Sequence, residues 1–145
     1  MSRAGEALRS VTAAALLLAG STAAVSAAEA CLSYTNRIGL TGRLVQRTYP
    51  GPPDYESVAR GDRPEKVWVL VLAEPVCIAQ DKADRDGMSP AIARIAEVQL
   101  AATKRDLGGT KPGRTLRVTG KAFAAHTGHH HTPIVLADVR VEPGP

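Results

Sequence analysis

The sequence predicts an all-β fold: a small five-stranded OB-like barrel behind an N-terminal signal peptide, with a small β-sandwich as the alternative. Three observations carry this. Five strand-like apolar runs are separated by glycine, proline and charged breaks. Glycines fall inside the first run, where a long strand coiling round a small barrel bends. The order of elements also fits: a long first strand, a third-to-fourth connection with room for only a vestigial helix, and a closing hairpin.

The first run, Ile38 to Thr48, is β1. Ile38, Leu40, Gly42, Leu44 and Gln46 share one face, and Gly39 and Gly42 mark a bend or bulge. Tyr49 to Ser57 holds three prolines and two tyrosines, which exclude regular structure and predict an ordered loop. A short turn at Ser57 to Ala59 follows. Val67 to Ala73 is β2, apolar on both faces and therefore central. Trp68, the one tryptophan, reads as a core residue or barrel plug. Pro75 ends the regular pairing or places that end at an edge, and Val76 to Ile78 extends the segment.

Gln80 to Pro90 is a charged, broken loop. Its acids alternate as in a calcium loop, but the downstream glutamate is missing and the glycine is misplaced. Ile92 to Ala102 is β3, with Ala96, Val98 and Leu100 on one side; a helix is the alternative reading. Thr103 to Leu107 makes one helical turn before Gly108 and Gly109. Thr115 to Ala124 is β4, and Pro133 to Val141 is β5.

Residues 1–28 have a charged start, the apolar run Val11 to Val25 and a small-residue exit, the pattern of a secretory signal cleaved after Ala27 or Ala28. Residues 29–145 then form a single β-barrel domain, periplasmic or secreted and monomeric. Two cysteines in an exported chain predict a Cys31–Cys77 disulfide; a lipid anchor on Cys31 is the rival. Nothing after the signal is apolar for long enough to span a membrane. The formal charge is +4, falling to +3 once Arg3, Arg9 and Glu6 are removed. This excess is spread along the chain without a basic run, so nucleic acid is not expected as a partner.

All four histidines fall in one stretch, His126, His129, His130 and His131, between β4 and β5. In an extended segment His129 and His131 point one way and His130 the other. Gly128 allows a turn that could return His126 toward them. His126, His129 and His131 are the candidate ligands for Zn²⁺, Cu²⁺ or Ni²⁺, with Thr132 and Asp138 as candidate supports. The alternative is that the histidines bond the backbone and pack on the tyrosine loop. No nucleophile motif is present and both cysteines pair, so no catalytic residue is assigned.

Leu40-Thr41-Gly42, the Tyr49 to Ser57 loop, Gly61-Asp62, Trp68-x-Leu70-x-Leu72, Cys77, Val98-Gln99-Leu100, Val118-x-Gly120 and His126 to Thr132 form one further pattern. Together they resemble the exported bacterial family catalogued as domain of unknown function 4431. The resemblance runs from Cys31 to about Val139. It implies an exported single-domain protein and carries no catalytic residues across.

The resulting expectation is a non-catalytic binding or accessory domain without a cofactor, taking an envelope or secreted partner or a small ligand. Tyr49, Tyr55, Trp68 and His130 are its candidate binding surface. The alternatives are a divalent transition-metal protein and an unspecified enzyme.

Overall fold

The computed structural model describes residues 30–142, so the predicted signal peptide lies outside the described residues. Five strands, β1 Arg37–Pro50, β2 Pro64–Ile78, β3 Ile92–Leu100, β4 Thr115–Ala124 and β5 Ile134–Val141, close into a barrel in the order β1-β2-β3-β5-β4. This is the expected OB-like topology, and no second sheet is present among the described residues.

β1 is the strand on which the ring turns. Its first half pairs with β4, from Arg37 opposite Lys121 to Arg43 opposite Thr115. Its second half pairs with β2, from Gly42 opposite Leu72 to Pro50 opposite Pro64. Gly42 sits where the two ladders overlap. A Cβ there would lie 2.5 Å from the Val71 carbonyl oxygen and 2.9 Å from Leu70 Cγ. Only glycine lets the strands approach so closely at the bend.

Closure is economical. β3 and β5 run parallel and pair only at Gln99 with Val135 and Leu100 with Leu136. Alternation along β1 and β4 buries Ile38, Leu40 and Leu44 against Leu116 and Val118. Trp68 shares the face of β2 that carries Leu70 and Leu72, and packs half-buried on the core as a plug.

As expected, regular β2–β3 pairing stops short of Pro75, with register shifts between Val71 and Val76 and between Val76 and Ile78, while the segment extends to Ile78. Two sequence expectations need correction. β3 ends at Leu100 rather than Ala102. The irregular pairing turns Ala96 outward and buries Ile95 in its place.

The β3–β4 connection carries the vestigial helix as a single turn. Thr103 and Asp106 hydrogen-bond each other's backbone N–H groups, and the Leu107 N–H donates to the Thr103 carbonyl at 3.2 Å. Gly108 and Gly109, at φ 61 and 70, end it. Leu107 is fully buried in the barrel core, so one leucine fills the place a longer helix would cover. The Cys31–Cys77 disulfide forms as predicted and ties the N-terminal segment to β2, where Leu32 bridges to Ile78. Closing a loop of this length is worth about 4 kcal/mol in the chain-entropy account. Among the described residues, no helix is long and apolar enough to cross a membrane.

Candidate functional site

The β1–β2 and β4–β5 loops meet on the outer face of β2 and β3. The β1–β2 loop is rigid because one carboxylate organises it. Asp62, buried, accepts the backbone N–H groups of Asp54 at 2.9 Å and of Glu56 and Ser57 at 2.7 Å each. These bonds, that of Ser57 foremost, hold its carboxyl below the usual aspartate range. Gly51 donates to the Arg63 carbonyl at 2.7 Å and Arg63 to that of Pro52 at 2.9 Å, closing the loop's base. The Pro52–Pro53 peptide is cis, and Tyr55 stands at φ 60.

The β4–β5 loop is folded down on the barrel by Gln99. Its Nε2 donates to the His129 carbonyl at 2.9 Å, its Oε1 accepts the His131 N–H at 2.8 Å, and its own N–H donates to Thr132 Oγ1 at 2.7 Å. Thr132 Oγ1 in turn donates to the Ile134 carbonyl at 2.6 Å. Val67, Val69 and Val135 are buried yet lie outside the barrel core cluster, in a second layer on this side of the sheet. The β2–β3 face that OB barrels use for ligands is thus occupied by the chain's own loop.

Glu65 joins the two loops. Opposite Tyr49 in the β1–β2 ladder, it receives His129 Nδ1 at 2.9 Å and His131 Nε2 at 3.3 Å. A carboxylate only accepts, so both nitrogens carry protons. Burial pushes the Glu65 carboxyl up, but bonds from the two imidazoles outweigh it and hold the pKa below the usual glutamate value. Tyr49 stacks on His131 with ring centroids 4.2 Å apart and planes within 4°. The Tyr55 hydroxyl lies 2.9 Å from His129 Nε2, completing a carboxylate–imidazole–phenol chain. The face of the Tyr55 ring lies against Gly128, where a Cβ would come within 2.8 Å of three ring atoms.

The other two histidines face away from Glu65. His126 Nδ1 donates to the Ala124 carbonyl at 2.9 Å, and His130 Nδ1 accepts the His126 N–H at 3.1 Å. Both rings pack on Phe123, with centroids 5.5 and 5.1 Å from it. Burial, and then the charge of the neighbouring imidazoles, pulls the His130 pKa down. His130 must therefore keep its proton on Nε2 and offers no free lone pair there.

Residues 97–141 match the model of a domain of unknown function (DUF4431). The matched segment holds Gln99, β4, all four histidines and β5. β1, the tyrosine loop and Glu65 lie before the DUF4431 match, which is narrower than the resemblance read from the sequence. No curated protein and no solved structure matched the chain.

Of the sequence-predicted site residues, Tyr49, Tyr55, His129 and His131 meet in one cluster. His126 and His130 form a second cluster with Phe123, and Trp68 belongs to neither. Among the described residues, no group of three or more His, Cys, Asp or Glu side chains is placed to hold a metal ion. Asp138 lies on β5, where its carbonyl accepts Arg37. Sequence reasoning missed Glu65, Gln99 and Asp62. The Gly61-Asp62 pair was a visible signal for one of them, while Glu65 and Gln99 act on residues 64 and 32 positions away.

Proposed function

We propose that this is an exported, non-catalytic binding domain whose ligand-facing surface is the joined β1–β2 and β4–β5 loops. The observation that carries the reading is Glu65 holding His129 and His131 while Tyr49 and Tyr55 pack on the same imidazoles. This builds a preorganised aromatic and imidazole surface, with the His129 side chain still 56% exposed. Preorganised loops lose little entropy when a ligand docks. The covered β2–β3 face disfavours single-stranded nucleic acid, which needs an open groove with stacking aromatics. The partition of the imidazoles also favours this reading over a metal held by His126, His129 and His131. In that case His126 would have to leave Ala124 and cross to the Glu65 side.

The test is a thermal-shift screen of envelope glycans, peptides and small metabolites, with Zn²⁺ and Cu²⁺ included. It uses the wild type and the Tyr55→Ala/His129→Ala variant. A ligand whose shift vanishes in the variant supports the proposal. A ligand that shifts both equally places binding elsewhere, and a tight metal response lost in His126→Ala restores the metal reading.

The carboxylate–imidazole–phenol chain favours a second reading, in which the Tyr55 oxygen takes a proton from a bound hydroxyl group as it passes its own to His129 Nε2. Turnover of a screened ligand, abolished in Glu65→Gln, would establish it.

A further inference from the structure

The outer face formed by the first half of β1, the Thr115 to Lys121 part of β4 and the end of β5 begins beyond Phe123, on which His126 and His130 pack, and no part of the proposed binding surface involves it. Alternate residues of a strand share a face. On β1 these are Arg37, Thr41 and Arg43; on β4, Thr115, Arg117, Thr119 and Lys121. Register brings them side by side: Arg37 opposite Lys121, Thr41 opposite Arg117, and Arg43 opposite Thr115. Arg140 on β5 faces Thr119. All five of these cations are exposed. Arg37 and Lys121 are like charges on directly facing positions, an arrangement that costs stability unless an anion lies over it.

Lys111 and Arg114, from the turn before β4, extend the patch and line an open cleft at its foot with Arg117 and Glu142. The face then holds seven cations against two acids, Asp138 and Glu142, the latter 3.6 Å from Arg117. The remaining described residues hold nine cations and ten acids. The positive excess that looks dispersed along the chain is therefore concentrated on one side of the barrel.

The geometry points to this face as a docking surface for an anionic phospholipid bilayer. Its cations spread in two dimensions, along β4 and across to β1 and β5, matching a plane of headgroups. A single-stranded nucleic acid would call for a row of cations in a groove with stacking aromatics, and the residues between these cations on β1 and β4 are Gly39 and threonines. Arg37 donates to the Asp138 carbonyl and Arg117 lies over Gly39 beside Glu142, so the guanidiniums are spread along the sheet surface among small neighbours.

Co-sedimentation of the full chain with vesicles tests this, comparing phosphatidylcholine alone with a phosphatidylcholine–phosphatidylglycerol mixture. Each basic residue near an anionic bilayer contributes about fivefold in partition. Arg117→Gln/Lys121→Gln should bind the mixed vesicles about 25-fold more weakly than wild type. Lys82→Gln/Arg85→Gln, with the same net charge but altered on the 79–91 loop, should bind as wild type does. Added salt should weaken wild-type binding. Residues 1–29 are common to all three proteins, so any contribution from them cancels. Equal loss in both variants would overturn the proposal, as would equal wild-type partition to neutral and mixed vesicles. Retention on heparin without binding to the mixed vesicles would reassign the face to a soluble polyanion and also overturn it.

Discussion

Replacing Gly128 by alanine tests the join between the two loops through the sign of the stability change. Gly128 has no positive φ, so its backbone accepts alanine without strain. If the loops were loosely apposed, the substitution would stabilise the protein by about 0.4–1 kcal/mol, because the unfolded chain loses freedom. In the folded protein the new Cβ would stand 2.8 Å from Tyr55 Cγ, Cδ1 and Cδ2, where carbon–carbon contacts prefer about 3.5–4.0 Å. The ring would have to retreat by about 1 Å. It is held at its hydroxyl by His129 at 2.9 Å and at its backbone N–H by Gly51 at 3.0 Å. Either the hydrogen bond to His129 is lost, costing about 0.5–1.5 kcal/mol, or the strain is kept, costing about 1–3 kcal/mol. After the entropic gain is subtracted, we expect a net destabilisation of about 1 kcal/mol. Urea denaturation would read this as a lower midpoint at unchanged slope. In a Tyr55→Ala background the same substitution should become neutral or stabilising. Stabilisation by Gly128→Ala in the wild-type background would refute the packed-loop geometry.

Leu107→Ala should cost about 2–5 kcal/mol in chemical denaturation, because it empties the one side chain that fills the barrel beneath the β3–β4 turn. Asp62→Asn should loosen the tyrosine loop while leaving the barrel folded, read as faster hydrogen exchange at the Asp54, Glu56 and Ser57 amides. Stability should fall on acidification in two windows. The depressed pKa of His130 means the unfolded state binds protons first, so that contribution is complete above the ordinary value of 6.5 and declines as the pH drops through the lower folded value. The depressed pKa of Glu65 gives a contribution present above the ordinary 4.5 and lost as the pH falls through its folded value. Unfolding free energies measured from about pH 8 to about pH 3 should show both declines, with His130→Phe removing the upper one.

Alternation, glycine placement and proline breaks are local signals, and they located all five strands, the vestigial helical turn and the bend at Gly42. Where reading along the chain failed, the cause was irregular pairing. Pro75 and the shift beside Val76 displaced the inward register of β3, so Ala96 and Ile95 exchanged roles. The histidine stretch was conspicuous as a run of ligand-type side chains, but its division was not legible. His129 and His131 turn to a glutamate 64 and 66 residues upstream, while His126 and His130 turn to Phe123. Nothing near Glu65 in the chain marks it; its position opposite Tyr49 depends on the β1–β2 register.

The chain's local chemistry was therefore enough to place the elements and to favour a five-stranded barrel and the cysteine pair, because periodicity, turn residues and two thiols act over short range or leave few solutions. The helix reading of residues 92–102 and the β-sandwich were excluded only by the strand pairing. Closure of the ring settled the rest. It brought the tyrosine loop over the histidines, and it gathered cations scattered through β1, β4 and β5 onto one face. Both outcomes depend on which residues stand opposite one another across strands, a relation set by three-dimensional pairing and absent from any single stretch of sequence.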